Sequence, residues 1–176
     1  GETSVLAISD KKHVPFPNCV AICLTYPPFF SDEVVRSIKS MVKKAVEALG
    51  IDGGATHAEL MVTDSTGPQF VEIAARGGGF RVFSDMIPLV SGVDAVQETV
   101  KMALGMEPDI RPKFQKGAVL RFFNPPQRGR IKEIRGVEKA RQMPGIVDLV
   151  MDVKPGDVLH DITGDGERPG FLIAAA

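Results

Sequence analysis

The chain has 176 residues, 44% of them hydrophobic and 24% charged, with a formal net charge of -1. That length can bury one good core or two small lobes, and the balance of residues is that of an ordinary globular protein. Near-neutral charge without a basic block argues against a general nucleic-acid binder; with no run of about 18 apolar residues and no basic-then-apolar leader, a cytoplasmic protein off the membrane is expected.

Residues 2–9 and 18–25, rich in Val, Ile, Leu and Cys, are predicted as strands separated by KKHVPFP. Cys19 and Cys23 lie four apart in the second; along a strand that is about 13 Å at ~3.3 Å per residue, beyond the ~7 Å reach of a disulfide. They are expected to be buried, reduced hydrophobes. Tyr26-Pro27-Pro28 stops the strand, because proline cannot donate to a ladder. Ser31 is then predicted to cap a helix, with Asp32 and Glu33 in its first turn favourable to the helix dipole. Val34, Ile38, Met41, Val42, Ala45, Val46 and Leu49 recur at helical spacing, Lys39, Lys43 and Lys44 fall on the solvated side, and Gly50 ends the helix.

The stretch from Thr56 to Arg81 is predicted as an antiparallel hairpin. His57, Glu59 and Met61 share one face and Ala58, Leu60 and Val62 the other. In the returning strand Phe70, Glu72, Ala74 and Arg76 are expected together, opposite Val71, Ile73 and Ala75. Thr63-Asp64-Ser65-Thr66-Gly67-Pro68 supplies turn formers for a loop of about four residues. Pairing Thr63 with Pro68 makes Glu59 and Glu72 direct cross-strand neighbours, where like charges destabilise a sheet. Protonation of one carboxyl would relieve the pair. So would a divalent cation, since Mg²⁺ takes about one or two carboxylates and completes its octahedron with phosphate oxygens and water. Arg76 offers a planar fork for phosphate or carboxylate, and Gly77-Gly78-Gly79 can serve as a plain turn or as backbone that approaches a ligand closely. His57 shares the glutamate face, as a hydrogen-bonded structural residue or as a ligand.

Beyond the glycines, residues 82–89 are expected to form a short helical turn interrupted at Pro88, with Asp85 in a surface role. Asp94 is predicted to cap a helix through Leu104, with Gln97 in the capping-box position and Gly105 at the end. Ala95, Val96, Val100, Ala103 and Leu104 are expected to pack on the sheet. From Arg111 the pattern changes to short strands at 117–124, 130–134, 145–153 and 170–175, with a helical segment at 137–142. Arg121 lies between apolar neighbours in AVLRFFN, which leaves a structural carboxylate or a substrate anion as its partner.

The order H-x-E, a second Glu thirteen residues after the first, then E-x-x-x-R, glycines and a G-V-D helix start resembles the C-terminal part of the ATP-grasp fold. It is most like the branch of L-amino-acid ligases and carbamoyl-phosphate-synthase-like carboxylate–amine ligases. The resemblance implies an α+β fold. Residues 1–110 would form the C-terminal half of an ATP-grasp domain, an antiparallel sheet with packed helices, and residues 111–176 a small β-rich lobe. It also implies ATP and Mg²⁺ (or Mn²⁺) as cofactors, Glu59 and Glu72 as metal and cofactor ligands, Arg76 and Arg121 as catalytic residues, and Gly78 and Gly79 along the carboxylate substrate. Many members carry Asn two residues after the second glutamate as a further metal ligand, where this chain has Ala74. Gly1-Glu2 and Lys11-Lys12 match the family's Gly-x-Glu position and strand-ending lysine only weakly.

The activity the resemblance implies is ligation of a carboxylate to an amine through an acyl phosphate. The alternatives are a non-catalytic nucleotide-binding or assembly module and a bicarbonate-using carboxylase or carbamoyl-phosphate-type enzyme. Expected partners are the small carboxylate and amine, the upstream half of the same ATP-grasp domain and a possible second copy in a homo-oligomer. The first residue is not Met and the last stretch is the apolar FLIAAA, so the chain is expected to be a piece of a longer protein with little or no activity alone.

Overall fold

The computed structural model describes residues 2–63, 65–125 and 127–176. Gly1, Asp64 and Pro126 lie outside these residues. With them go the Gly1 end of the Gly-x-Glu correspondence, part of the 63–68 turn and the second proline of the 125–126 punctuation. The chain divides into two units, one formed by residues up to Ile8 with Phe29–Gln115 and the other by Ser9–Pro28 with Lys116–Ala176.

In the first unit α1 spans Asp32–Ala48. The Ser31 hydroxyl accepts from the Val34 N–H at 3.4 Å, and at the other end Gly50 N–H donates to Glu47 O and Ile51 N–H to Val46 O. That reciprocal pair closes the last turn and needs the left-handed backbone that Gly50 supplies at φ 66°. Ile38 and Val46 are buried, Lys39, Lys43 and Lys44 exposed, and α1 packs on the returning strand of the hairpin. The hairpin pairs β3, His57–Thr63, with β4, Gly67–Ala74.

After the hairpin a π-helical turn, Val82–Met86, runs into α2, Ile87–Ser91. Pro88 does not interrupt this segment as expected. It sits in the first turn of α2, where a missing N–H leaves no intrahelical bond unmade. Asp94 caps α3, Ala95–Ala103, accepting from the Gln97 N–H at 2.9 Å. The buried side of α3 is only partly the expected one: Ala95 is buried as expected, but Val96, Val100 and Leu104 are 43%, 52% and 69% exposed, and Glu98 is buried. Glu98 is turned inward by its donors, Lys101 Nζ at 2.8 Å and the Asp109 N–H at 2.7 Å, so hydrogen bonding rather than hydrophobicity sets the face.

The second unit is an antiparallel sheet in the order β1-β2-β5-β9-β7, built from β1 Asp10–His13, β2 Ala21–Tyr26, β5 Ala118–Phe122, β7 Ile146–Met151 and β9 Gly170–Ala175. Gly129–Arg130, β6, and Val158–Leu159, β8, form a separate small ribbon, and α4, Val137–Arg141, packs on β7. One face of the sheet is core: Leu24 and Tyr26, Ala118, Leu120 and Phe122, Phe171 and Ile173 are all buried. Residues 2–9, expected as a strand, carry no ladder up to Ser9; the first strand begins at Asp10, inside the predicted connector. Cys19 is exposed at φ 49° ahead of β2, so it is neither in the strand nor buried as expected, though both cysteines are free. Among the described residues no helix is long and apolar enough to cross a membrane.

Candidate functional site

Glu59 and Glu72 are direct cross-strand partners. They meet by a different route from the one predicted. At the turn Thr63 pairs with Gly67, not Pro68, which would put the ladder one residue out of register at the glutamates. Between Leu60↔Phe70 and Glu59↔Glu72 the returning strand carries one extra residue, Val71, and this bulge restores the expected pair. The bulge also moves Phe70 off the face of Glu72: it stands opposite Leu60, on the side of Ala58, Val62 and Ile73. On the glutamate face the neighbours are His57↔Ala74 and Met61↔Gln69.

Two carboxylates opposed in this way repel, and the donor set fits a hard cation that brings further oxygens with it. Among the described residues no group of three or more His, Cys, Asp or Glu is arranged to hold a metal. His57 Nε2 lies 3.6 Å from Glu59 Oε1, within ion-pair range though longer than a hydrogen bond.

The strand ends at Ala74, and Arg76, exposed beyond it, donates from Nη1 to Gly77 O at 2.9 Å. The three glycines differ. A Cβ at Gly77 would stand 2.5 Å from Phe83 Cγ and one at Gly78 would stand 2.9 Å from His57 Nδ1, whereas one at Gly79 would meet nothing within 4 Å. Phe80 and Arg81 follow with φ of 41° and 60°, a left-handed pair of non-glycine residues opening the π-helical turn. Such backbone and such turns concentrate at working sites. Arg81 Nη2 donates to Asp85 Oδ1 at 2.6 Å and the Ser84 hydroxyl donates to the other oxygen. The Arg81 hydrogen bond is the main cause holding the Asp85 carboxyl below its usual range. This brace was not expected from the sequence, although the i, i+4 spacing of Arg81 and Asp85 is its signal.

Arg121 belongs to the second unit, in β5 between Cys23 and Leu172 on the neighbouring strands. It is exposed and, among the described residues, has no hydrogen-bond or ion-pair partner there, so the structural-carboxylate option falls away within what is described. The buried arginine of that unit is Arg168. It donates to Ala21 O and Asp165 O at 3.1 Å each, and its guanidinium lies 3.7 Å from the centre of the Phe122 ring. Only Asp165 is a local partner; the Ala21 carbonyl and the Phe122 ring come from β2 and β5, far along the chain, so the stretch GERPG alone does not mark Arg168 as buried.

Residues 121–176 match the family model of the L-amino acid ligase C-terminal domain 2. An uncharacterized protein, y4rH, of Sinorhizobium fredii (strain NBRC 101917 / NGR234) is 27% identical over 98% of this chain and 36% of its own length. The alanine–anticapsin ligase of Bacillus subtilis is 32% identical over 62% of this chain and 23% of its own. The chain thus spans about a third or less of the curated relatives it matches. The crystal structure of an L-amino acid ligase from Bacillus licheniformis superposes with a TM-score of 0.81 at 24% identity, covering 97% of this chain and 42% of that one, a likeness of fold. The mixed helix and antiparallel-sheet architecture is that of the C-terminal part of the ATP-grasp fold, and residues 121–176 match the L-amino acid ligase C-terminal domain.

Proposed function

We propose that the protein carrying this chain is an ATP- and Mg²⁺-dependent carboxylate–amine ligase. A carboxylate oxygen attacks the γ-phosphorus of ATP and ADP leaves. The amine nitrogen then attacks the carbonyl carbon of the acyl phosphate and inorganic phosphate departs, the nitrogen losing a proton. The observation that carries the reading is the opposition of Glu59 and Glu72, which a bulge at Val71 brings into register on one face of the hairpin.

Glu59 and Glu72 hold Mg²⁺ or Mn²⁺ together with the nucleotide. When bound, the cation polarises phosphoryl oxygens and offsets the negative charge that moves toward ADP. Arg76, at the open end of β4, steadies the transferred phosphoryl group, and Arg121 serves as a second anion partner. Gly79, open on its Cα, is where backbone and carboxylate substrate approach. Residues 1–110 supply the metal-holding half and residues 111–176 the β-rich lobe. This is a division of roles, since β1 and β2 are hydrogen-bonded into the sheet of the second unit. No side chain is required as a nucleophile.

Ala74 favours a second reading, a nucleotide-binding module without turnover, because the usual asparagine ligand is absent. The test is phosphate release with Mg²⁺-ATP, screened against amino acids, other small carboxylates and bicarbonate, with and without amines. Release that needs both a carboxylate and an amine supports the ligase. Bicarbonate-dependent release favours the carboxylase or carbamoyl branch. ATP binding without release under any combination favours the module.

A further inference from the structure

We infer that His57 is a positioning residue for Glu59, and that position 78 is glycine to admit its ring; this rests on the reading of Glu59 and Glu72 as metal ligands. Three observations converge on the imidazole. His57 is the cross-strand partner of Ala74, so it shares the face of Glu59 and Glu72. Its Nε2 lies 3.6 Å from Glu59 Oε1. On its other side a Cβ built on Gly78 would come within 2.9 Å of Nδ1 and 3.2 Å of Cε1, tighter than a real contact.

The small residues thus define a slot, with Ala74 across the ladder and Gly78 against the ring. Something has to hold Glu59 on this face. Its side chain has three rotatable bonds and faces Glu72, so repulsion favours rotamers that turn the carboxylate away. An imidazole N–H beside it draws the carboxylate back at a cost of few degrees of freedom, because the slot has already fixed the ring. Partners of ligating carboxylates commonly act in this way. Gly78 then differs in role from Gly79: it contacts the metal-positioning histidine, whereas among the described residues a Cβ at Gly79 would meet nothing within 4 Å.

The test is Mn²⁺ affinity, read by electron paramagnetic resonance of free Mn²⁺ with a non-hydrolysable ATP analogue, in the protein that carries this chain. His57→Ala and Gly78→Ala are each expected to weaken Mn²⁺ binding by about tenfold. Because Gly78→Ala acts by displacing the ring, the double variant should bind no more weakly than His57→Ala alone. His57→Gln, which keeps an N–H donor, should recover part of the loss. Wild-type affinity in His57→Ala, or losses that multiply in the double variant, would overturn the inference; if Gly78→Ala does not fold, the two histidine variants decide it. Glu59→Gln and Glu72→Gln separate the two failures. If neither changes Mn²⁺ affinity the metal reading itself falls, whereas if both abolish binding and His57→Ala does not matter, only the positioning role falls.

Discussion

In the second unit, Glu167 meets a loop that turns the Thr163 N–H, the Thr163 hydroxyl and the Gly164 N–H onto one carboxylate oxygen. In the hairpin of the first unit, Glu59 and Glu72 are instead set against each other, and among the described residues Glu72 has no donor. The contrast is a property of the hairpin and not of its unit, since Glu98, also in the first unit, takes Lys101 Nζ and the Asp109 N–H. A carboxylate that serves the fold is given donors by it. One that breaks the local rule against opposed charges marks a place where stability is given up for a task.

The largest effect should come from removing one member of the opposed pair. Glu59→Gln or Glu72→Gln is expected to lower Mg²⁺-ATP turnover by about 100-fold or more, the order of ~3 kcal/mol that metal-assisted charge stabilisation supplies, with circular dichroism unchanged. Full turnover in either variant would leave the pair as a surface accident.

A buried charge that the fold does satisfy should behave in the opposite way. Arg168→Met removes hydrogen bonds to Ala21 O and Asp165 O and the contact over Phe122. Urea unfolding should show a loss of about 2 kcal/mol. Phosphate release per folded molecule should be unchanged; a selective loss of turnover would give Arg168 a role the comparison denies it.

Without nucleotide or metal, Glu72→Gln should raise stability by about 0.5 kcal/mol, because the neutral amide ends the repulsion across the ladder. The thermal melt gives the sign. A fall would mean that Glu72 contributes to the fold in the way Glu167 does.

Much of the fold and the opposed pair were legible in the sequence, though not always for the right reason. The α1 helix was, because Ser31, the apolar spacing and Gly50 are local signals, and so were β5, β7, β9 and α4, set off by prolines and glycines. The Glu59–Glu72 pair was predicted from a turn pairing that is off by one, and a bulge at Val71 makes up the difference. A bulge is chosen by how both strands pack, and alternation along one strand does not carry that information. The inward side of α3 was misread because Glu98 is satisfied by a backbone N–H eleven residues on, while Val96 and Val100 stay exposed. Arg168 was missed and residues 2–9 overread for the same reason: a ladder or a buried guanidinium depends on partners far along the chain. His57 was seen on the correct face, but its contact with Gly78 needs the chain reversal at the glycines.

The smallest effect and the sharpest sign should come from Glu167 itself. Donation from the Thr163 hydroxyl, followed by that from the Thr163 N–H, holds its carboxyl below the ordinary glutamate value of 4.5. A folded-state pKa below the unfolded one means that the charged form stabilises the fold. That contribution is complete above the ordinary value and is lost as pH falls through the lowered one. Glu167→Gln should therefore melt below wild type at neutral pH, and the gap should close on acidification below about 4.5. Glu167 is exposed, so the gap is small. Its direction is what matters: at neutral pH without metal, neutralising Glu167 should destabilise the protein while neutralising Glu72 stabilises it. If both changes move the melt the same way, the two kinds of carboxylate are not distinguished by their surroundings, and the hairpin pair loses its claim to be held for a cation.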